Sequence, residues 1–261
     1  MMRRDFLAGS LLAAAGPGSG GAAEPKKRAP EWYELRTYHQ RLGQTKVLND
    51  FLGEVTLPAL RRLGVGPVGA FDTTFGPEMP AVRLLIPHES PAAAAALPGR
   101  LAADPAYHKG TAAMAYHGAP GTQPPYQRMD SVLLAAFERF PKLELPPVDK
   151  PRIFELRTYE SPTEAAHLRK MEMFTKMGEL ELFRRAGLTP MFFARTVVGP
   201  RQPNFMYMLT FPDMAAREKA WATFRADPEW QKLKATPGYN DAETMSNITD
   251  LVLRPAPYSQ V

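Results

Sequence analysis

The sequence predicts an α+β protein: two tandem β-α-β-β-α-β modules of ferredoxin-like plan whose sheets close on each other as an intrachain pseudo-dimer. Three observations predict it. Glu34-Leu35-Arg36-Thr37-Tyr38 recurs as Glu155-Leu156-Arg157-Thr158-Tyr159. The likeness continues in order, pairing Arg61-Arg62-Leu63-Gly64 with Arg184-Arg185-Ala186-Gly187, Gly76-Pro77 with Gly199-Pro200, and Asp104-Pro105 with Asp227-Pro228. Each copy also alternates strand and helix signals in the same order, which implies a four-stranded antiparallel sheet with helices on one face. The bare sheet face must be buried, and the other copy is its simplest cover.

Residues 1–30 read as a signal and tether, 31–140 as the first module, 141–151 as a proline-rich linker and 152–255 as the second module. In the first module, Trp32 to His39 alternates as a strand should. Thr45 can cap a helix that presents Leu48, Phe51, Leu52 and Val55 on one face and ends at Gly64. Strands near Val68 to Phe75 and Ala81 to Ile86 flank the Gly76-Pro77 turn. Pro91 opens a helix, Asp104-Pro105 a shorter one, and Ser131 to Phe140 reads as the last strand. Gly118 to Pro125 is an extra proline-rich loop. The second module repeats this with a strand at 152–160, a helix from Thr163 to Arg185, strands at 188–198 and 204–211, helices from Asp213 and Asp227, and a strand at 248–254. The repeat offset is 121 residues at the first strand and 123 afterwards, so the second copy gains two residues in its first helix.

Met1-Met2-Arg3-Arg4-Asp5-Phe6-Leu7, followed by a short apolar run and small residues, has the layout of a cleavable export signal. Its paired arginines resemble the twin-arginine type, although Met2 and Ala8 depart from that pattern. The expectation is a periplasmic or secreted protein with no transmembrane segment. The chain has no cysteine, so neither disulfides nor thiol chemistry enter. Net charge is +5 with both signs interspersed, which argues against a nucleic-acid partner. No zinc-type spacing, Gly-rich phosphate loop or G-x-S-x-G elbow occurs, so metal, nucleotide and serine-nucleophile chemistry are not expected.

Period-two alternation puts Tyr33, Leu35 and Thr37 on one face and Glu34, Arg36 and Tyr38 on the other. The second copy sets Phe154, Leu156 and Thr158 against Glu155, Arg157 and Tyr159. The apolar set is expected to pack on the helices, leaving the Glu/Arg/Tyr set to line the space between the sheets. There it either pins the two halves together as neutralised pairs or holds an anionic or carbonyl-bearing ligand. The copies differ elsewhere. Tyr107-His108 stands against Trp230-Gln231, His39 against Glu160, and Asp72 against Arg195, a reversal that would suit a cross-module pair. His39, Tyr107 and His108 on one side, and Arg195 and Trp230 on the other, therefore join the candidate ligand-binding residues. His88, His117 and His167 read as surface residues, and Met171, Met173 and Met177 as packing.

These residues carry a family likeness. Tyr33 to Tyr38, its repeat ending at Tyr159, the Gly-Pro turns and the Asp-Pro-x-aromatic helices resemble NIPSNAP domains over about 31–140 and 152–255. The resemblance implies the dimeric α/β-barrel superfamily, which also holds cofactor-free monooxygenases, haem-handling enzymes and stress-response barrels. It supplies no catalytic residue. Two readings stay open. One is an exported module that binds a small apolar, carbonyl or anionic molecule or mediates association, with further homo-oligomers allowed. The other is a cofactor-independent monooxygenase or isomerase using Tyr38, His39 or His108. No cofactor is expected; a haem variant would need an axial ligand, for which His108 is the candidate.

Overall fold

Each module contributes four strands to one closed barrel in the computed structural model, which describes residues 29–147 and 150–261. The export-signal reading falls outside these residues. From the first copy come β1 (Trp32–His39), β2 (Gly69–Phe75), β3 (Ala81–His88) and β4 (Arg128–Ala136). From the second come β5 (Ile153–Glu160), β6 (Thr189–Val198), β7 (Asn204–Phe211) and β8 (Asn247–Pro255). Around the barrel they run β1-β3-β2-β8-β5-β7-β6-β4. Each copy is thus a ferredoxin-like sheet, and the intrachain dimeric α/β-barrel is closed by two seams, β2 with β8 and β4 with β6. Both seams are antiparallel ladders, so each module's edge strands are paired by the other's and no edge stays open.

The helices of the first module are α1 (Lys46–Phe51), a π-helical turn at Leu52–Thr56, α2 (Leu57–Arg62), α3 (Pro91–Ala102) and α4 (Pro105–Ala113). The second module has α5 (Glu164–Thr175), α6 (Glu179–Arg185), α7 (Met214–Ala226), α8 (Pro228–Lys234) and α9 (Asp241–Thr244). The repeated Asp-Pro and Arg pairs have one explanation. Asp104 and Asp227 accept the first free amides of α4 and α8, and their outer oxygens pair with Arg62 and Arg185 at 2.7 Å.

Three expectations need correction. The helix from Thr163 to Arg185 is two helices, broken where Gly178 takes φ 89°. The second copy reaches this helical stretch by a shorter loop and makes it longer, while the first copy crosses it through its π turn. The last strand of the first module runs over Arg128–Ala136 and stops before Phe140. The four-residue α9, capped by Asn240, carries no apolar period and was not expected.

Three apolar clusters hold the molecule. One lies under each helical layer and one fills the barrel, where Tyr33, Leu35, Phe71 and Leu134 meet Phe154, Leu156, Phe192 and Met208. Met173 is buried under the second helical layer, with Met171 and Met177 packed against it. Residues 256–261 cross from the second module to the first. There Val261 is buried in the barrel cluster and the Tyr258 hydroxyl donates to Asn49 Oδ1 at 2.5 Å. Among the described residues no helix is long and apolar enough to cross a membrane.

Candidate functional site

The faces of β1 and β5 are the reverse of those expected. Tyr33, Leu35, Phe154 and Leu156 point into the barrel, whereas Tyr38 and Tyr159 belong to the clusters under the helices. The physical reason is closure: strands surround the interior on every side, so a charge there would have few partners. On the helical side, strand and helix side chains supply them. Glu34 accepts from Arg36 Nε at 2.5 Å and Ser131 Oγ at 2.7 Å, and His88 Nε2 lies 3.5 Å away. Burial alone would raise its pKa, but the nearby His88 ring and the Arg36 guanidinium prevail and hold it at about 2. Glu155, fully buried, accepts from Arg157 at 3.0 Å, Arg217 at 2.6 Å and Trp221 Nε1 at 2.7 Å. Both carboxylates bind elements of their own module, so neither pins the two halves together.

In the second module this face opens into a cavity of about 240 Å³ between the sheet and α5 to α9. Arg157, Tyr159 and Trp230, three of the residues singled out by the repeat, line it together. Three further lining groups did not stand out in the sequence. Lys170 is completely buried, with Nζ 3.2 Å from Asp241, 3.5 Å from Glu179, and 5.4 to 5.7 Å from the ring centres of Trp230, Phe174 and Tyr159. Burial pushes Glu179 up to about 7, with Lys170 pulling it back only in part. Trp221 lies with its indole 4.6 Å from the Arg157 guanidinium. Nearby, the Tyr207 hydroxyl donates to Tyr159 at 2.7 Å. A signal for Lys170 did exist: it falls on the buried face of α5 between Ala166 and Met173, where a lysine needs a partner.

The first copy lacks this chemistry. Counted from the helix-start residues Thr45 and Thr163, Leu52 stands for Lys170, and by the repeat offset Pro98 stands for Trp221. Tyr107, Tyr116 and Tyr126 pack the corresponding space beside Tyr38, with Tyr116 stacked on Phe51 at 3.7 Å and Tyr126 against Tyr38 at 5.2 Å. The other candidates scatter. His39 sits at the barrel end with Nε2 2.7 Å from Asp130. His108 is exposed, its ring bonded to the Ala102 carbonyl, so it does not fit the axial role a haem would require. Asp72 faces Arg254 in the β2–β8 ladder and exposed Arg195 faces Ala135 in the β4–β6 ladder, so they occupy different seams and form no pair. Of the three histidines expected at the surface, His88 and His167 are buried and His117 is exposed.

Fold and cavity together define a tandem ferredoxin-like barrel with one elaborated helix–sheet site. The NIPSNAP family model matches residues 154–260, the module that holds the cavity. A search of curated proteins finds no match. Among solved structures, a protein of Fusobacterium nucleatum provisionally described as a monooxygenase is 8% identical with a TM-score of 0.54. That alignment covers 87% of this chain and 93% of the other. A similarly described protein of Lactobacillus acidophilus is 6% identical with a TM-score of 0.55, covering 87% and 94%. At these identities both show the fold alone. An uncharacterised NIPSNAP-like domain protein from Burkholderia xenovorans is 21% identical over 41% of this chain and 88% of its own, with a TM-score of 0.37.

Proposed function

We propose that this chain is an exported NIPSNAP-type barrel that binds a small anionic or carbonyl-bearing molecule with a flat apolar body in the cavity of its second module. The observation that carries the reading is the charge of the lining. Lys170 is paired with Glu179 and Asp241 and Arg157 with Glu155 and Asp250, whereas Arg225 and Lys234, also on the lining, make no ion pair among the described residues. The surplus is cationic, and Tyr159, Trp221, Phe224 and Trp230 offer ring faces for a planar body. Cavities with buried titratable groups and aromatic walls are the usual places for ligands. Export rests on the N-terminal arginine pair and apolar run.

Trp221 and Trp230 make binding visible. Benzoate is expected to quench their fluorescence saturably, and Lys170→Met to abolish the effect in a folded protein. Saturable quenching that survives the substitution would remove the cavity from consideration. Native mass spectrometry with an absorption spectrum, on protein from the exported fraction, tests for a resident molecule and for removal of the N-terminal segment.

A second reading has its own observation. A carboxyl group near neutrality beside a lysine can take up and return a proton, so Glu179 suits a cofactor-independent isomerase or oxygenase. Glu179→Gln would then stop turnover while leaving benzoate binding in place.

A further inference from the structure

The barrel end where β1 and β5 finish is crossed by two repeat-related hairpins, Gly76-Pro77-Glu78 and Gly199-Pro200-Arg201. Each tip holds a non-glycine residue in the left-handed region, Glu78 at φ 67° and Arg201 at φ 61°. That conformation is uncommon for side-chain-bearing residues, and outliers of this kind cluster at functional positions. The tips meet across the mouth, with Arg201 Nη2 3.5 Å from Glu78 Oε1.

Beneath them lies a cavity of about 100 Å³ between the two sheets, with Leu35, Leu156, Met206 and Leu251 on its apolar lining. Arg83 enters it from β3, at the position that Met206 holds in the second copy. Its side chain is only 3% exposed. Of its five donors, one hydrogen-bonds to Thr73 among the described residues, and its nearest carboxylate is Glu78 at 3.8 Å. Asp130, the other acid at the cavity, is committed to His39 at 2.7 Å and Arg128 at 3.6 Å. Two guanidinium groups, one from each module, therefore converge on one carboxylate, at distances beyond a hydrogen bond. A buried guanidinium so poorly matched is a place for a better carboxylate, which it can grip in a planar fork.

We propose that the barrel mouth is a second binding site, for a short-chain monocarboxylate, in which the Glu78 carboxylate stands in for the ligand's until the ligand displaces it. The cavity sets the size, since about 100 Å³ is roughly three water molecules' share of liquid. The ligand's apolar tail would lie on Leu35, Leu156 and Leu251 while Arg83 and Arg201 take its head. The site is independent of the cavity in the second module.

Calorimetric titration with butyrate, and with butyramide as the uncharged control, tests this. Removing the internal competitor should raise affinity, so Glu78→Gln is expected to bind butyrate about tenfold more tightly than the native chain. Butyramide should bind neither protein. Arg83→Met, which copies the second module's residue, should abolish binding in a protein whose thermal unfolding shows it folded. If that variant does not fold, Arg201→Gln on the exposed tip should weaken butyrate binding instead. A folded Glu78→Gln protein that binds butyrate no better than the native chain overturns the proposal. So does a folded Arg83→Met or Arg201→Gln protein that binds it as the native chain does.

Discussion

Glu155 shows how much one side chain organises here. It has no exposed surface, and two arginines and an indole converge on it from β5 and α7. Removing one partner of a buried ionic set leaves the others without compensation, a loss of about 3–5 kcal/mol. Glu155→Ala should show that loss in urea unfolding, whereas Ser131→Ala, which deletes one bond to Glu34, should cost about 1 kcal/mol. Glu179 leads to a pH prediction. Its pKa rises from 4.5 to about 7 on folding, so between those values the folded state keeps a proton that the unfolded state releases. The contribution is fully present below pH 4.5 and is lost as pH rises toward 7, by roughly 3 kcal/mol at most. Unfolding curves of the native chain across that window should show the slope, and Glu179→Gln should flatten it. An unchanged slope in the variant would place the titration elsewhere.

At the scale of elements, the break between α5 and α6 separates what was legible from what was not. Thr163 was readable as a helix start, and its side chain does accept the Ala166 amide at 3.1 Å. Thr163→Ala should cost about 1 kcal/mol and Thr163→Ser should recover most of it. The break was not readable, because a glycine inside an apolar-periodic stretch is compatible with a continuous helix. Gly178 takes φ 89°, and a Cβ there would meet nothing closer than 4.0 Å, so Gly178→Ala tests conformation alone. A left-handed alanine costs about 1–2 kcal/mol, to be read from the same unfolding curves. Were the variant as stable as the native chain, the break would owe nothing to glycine. The break also positions Glu179 at the start of α6, opposite Lys170 on α5.

For the whole molecule the decisive feature is the pair of seams. Each module alone would expose two unpaired strand edges and half of the barrel's apolar filling. Residues 150–261 expressed by themselves should therefore self-associate, and sedimentation velocity should find two copies completing a barrel. A stable monomer of that fragment would show that the seams are dispensable. The two modules divide the work unevenly: the first packs its helix–sheet space with tyrosines, while the second keeps a charged cavity there.

Much of the architecture was determined by the sequence itself: the repeat, the order of strands and helices, the capping aspartates and the tandem barrel class. These follow from local periodicity, turn chemistry and self-similarity, which act over a few residues or a fixed offset. Which face of β1 and β5 looks inward was decided only by the tertiary structure. Alternation separates Glu34, Arg36 and Tyr38 from Tyr33 and Leu35 but does not say which set is outside, since in a closed barrel both faces are covered. The same holds for the sites. Lys170 with Glu179, and Arg83 with Arg201, are brought together by helix packing and by the meeting of two hairpins, and no spacing along the chain records either encounter.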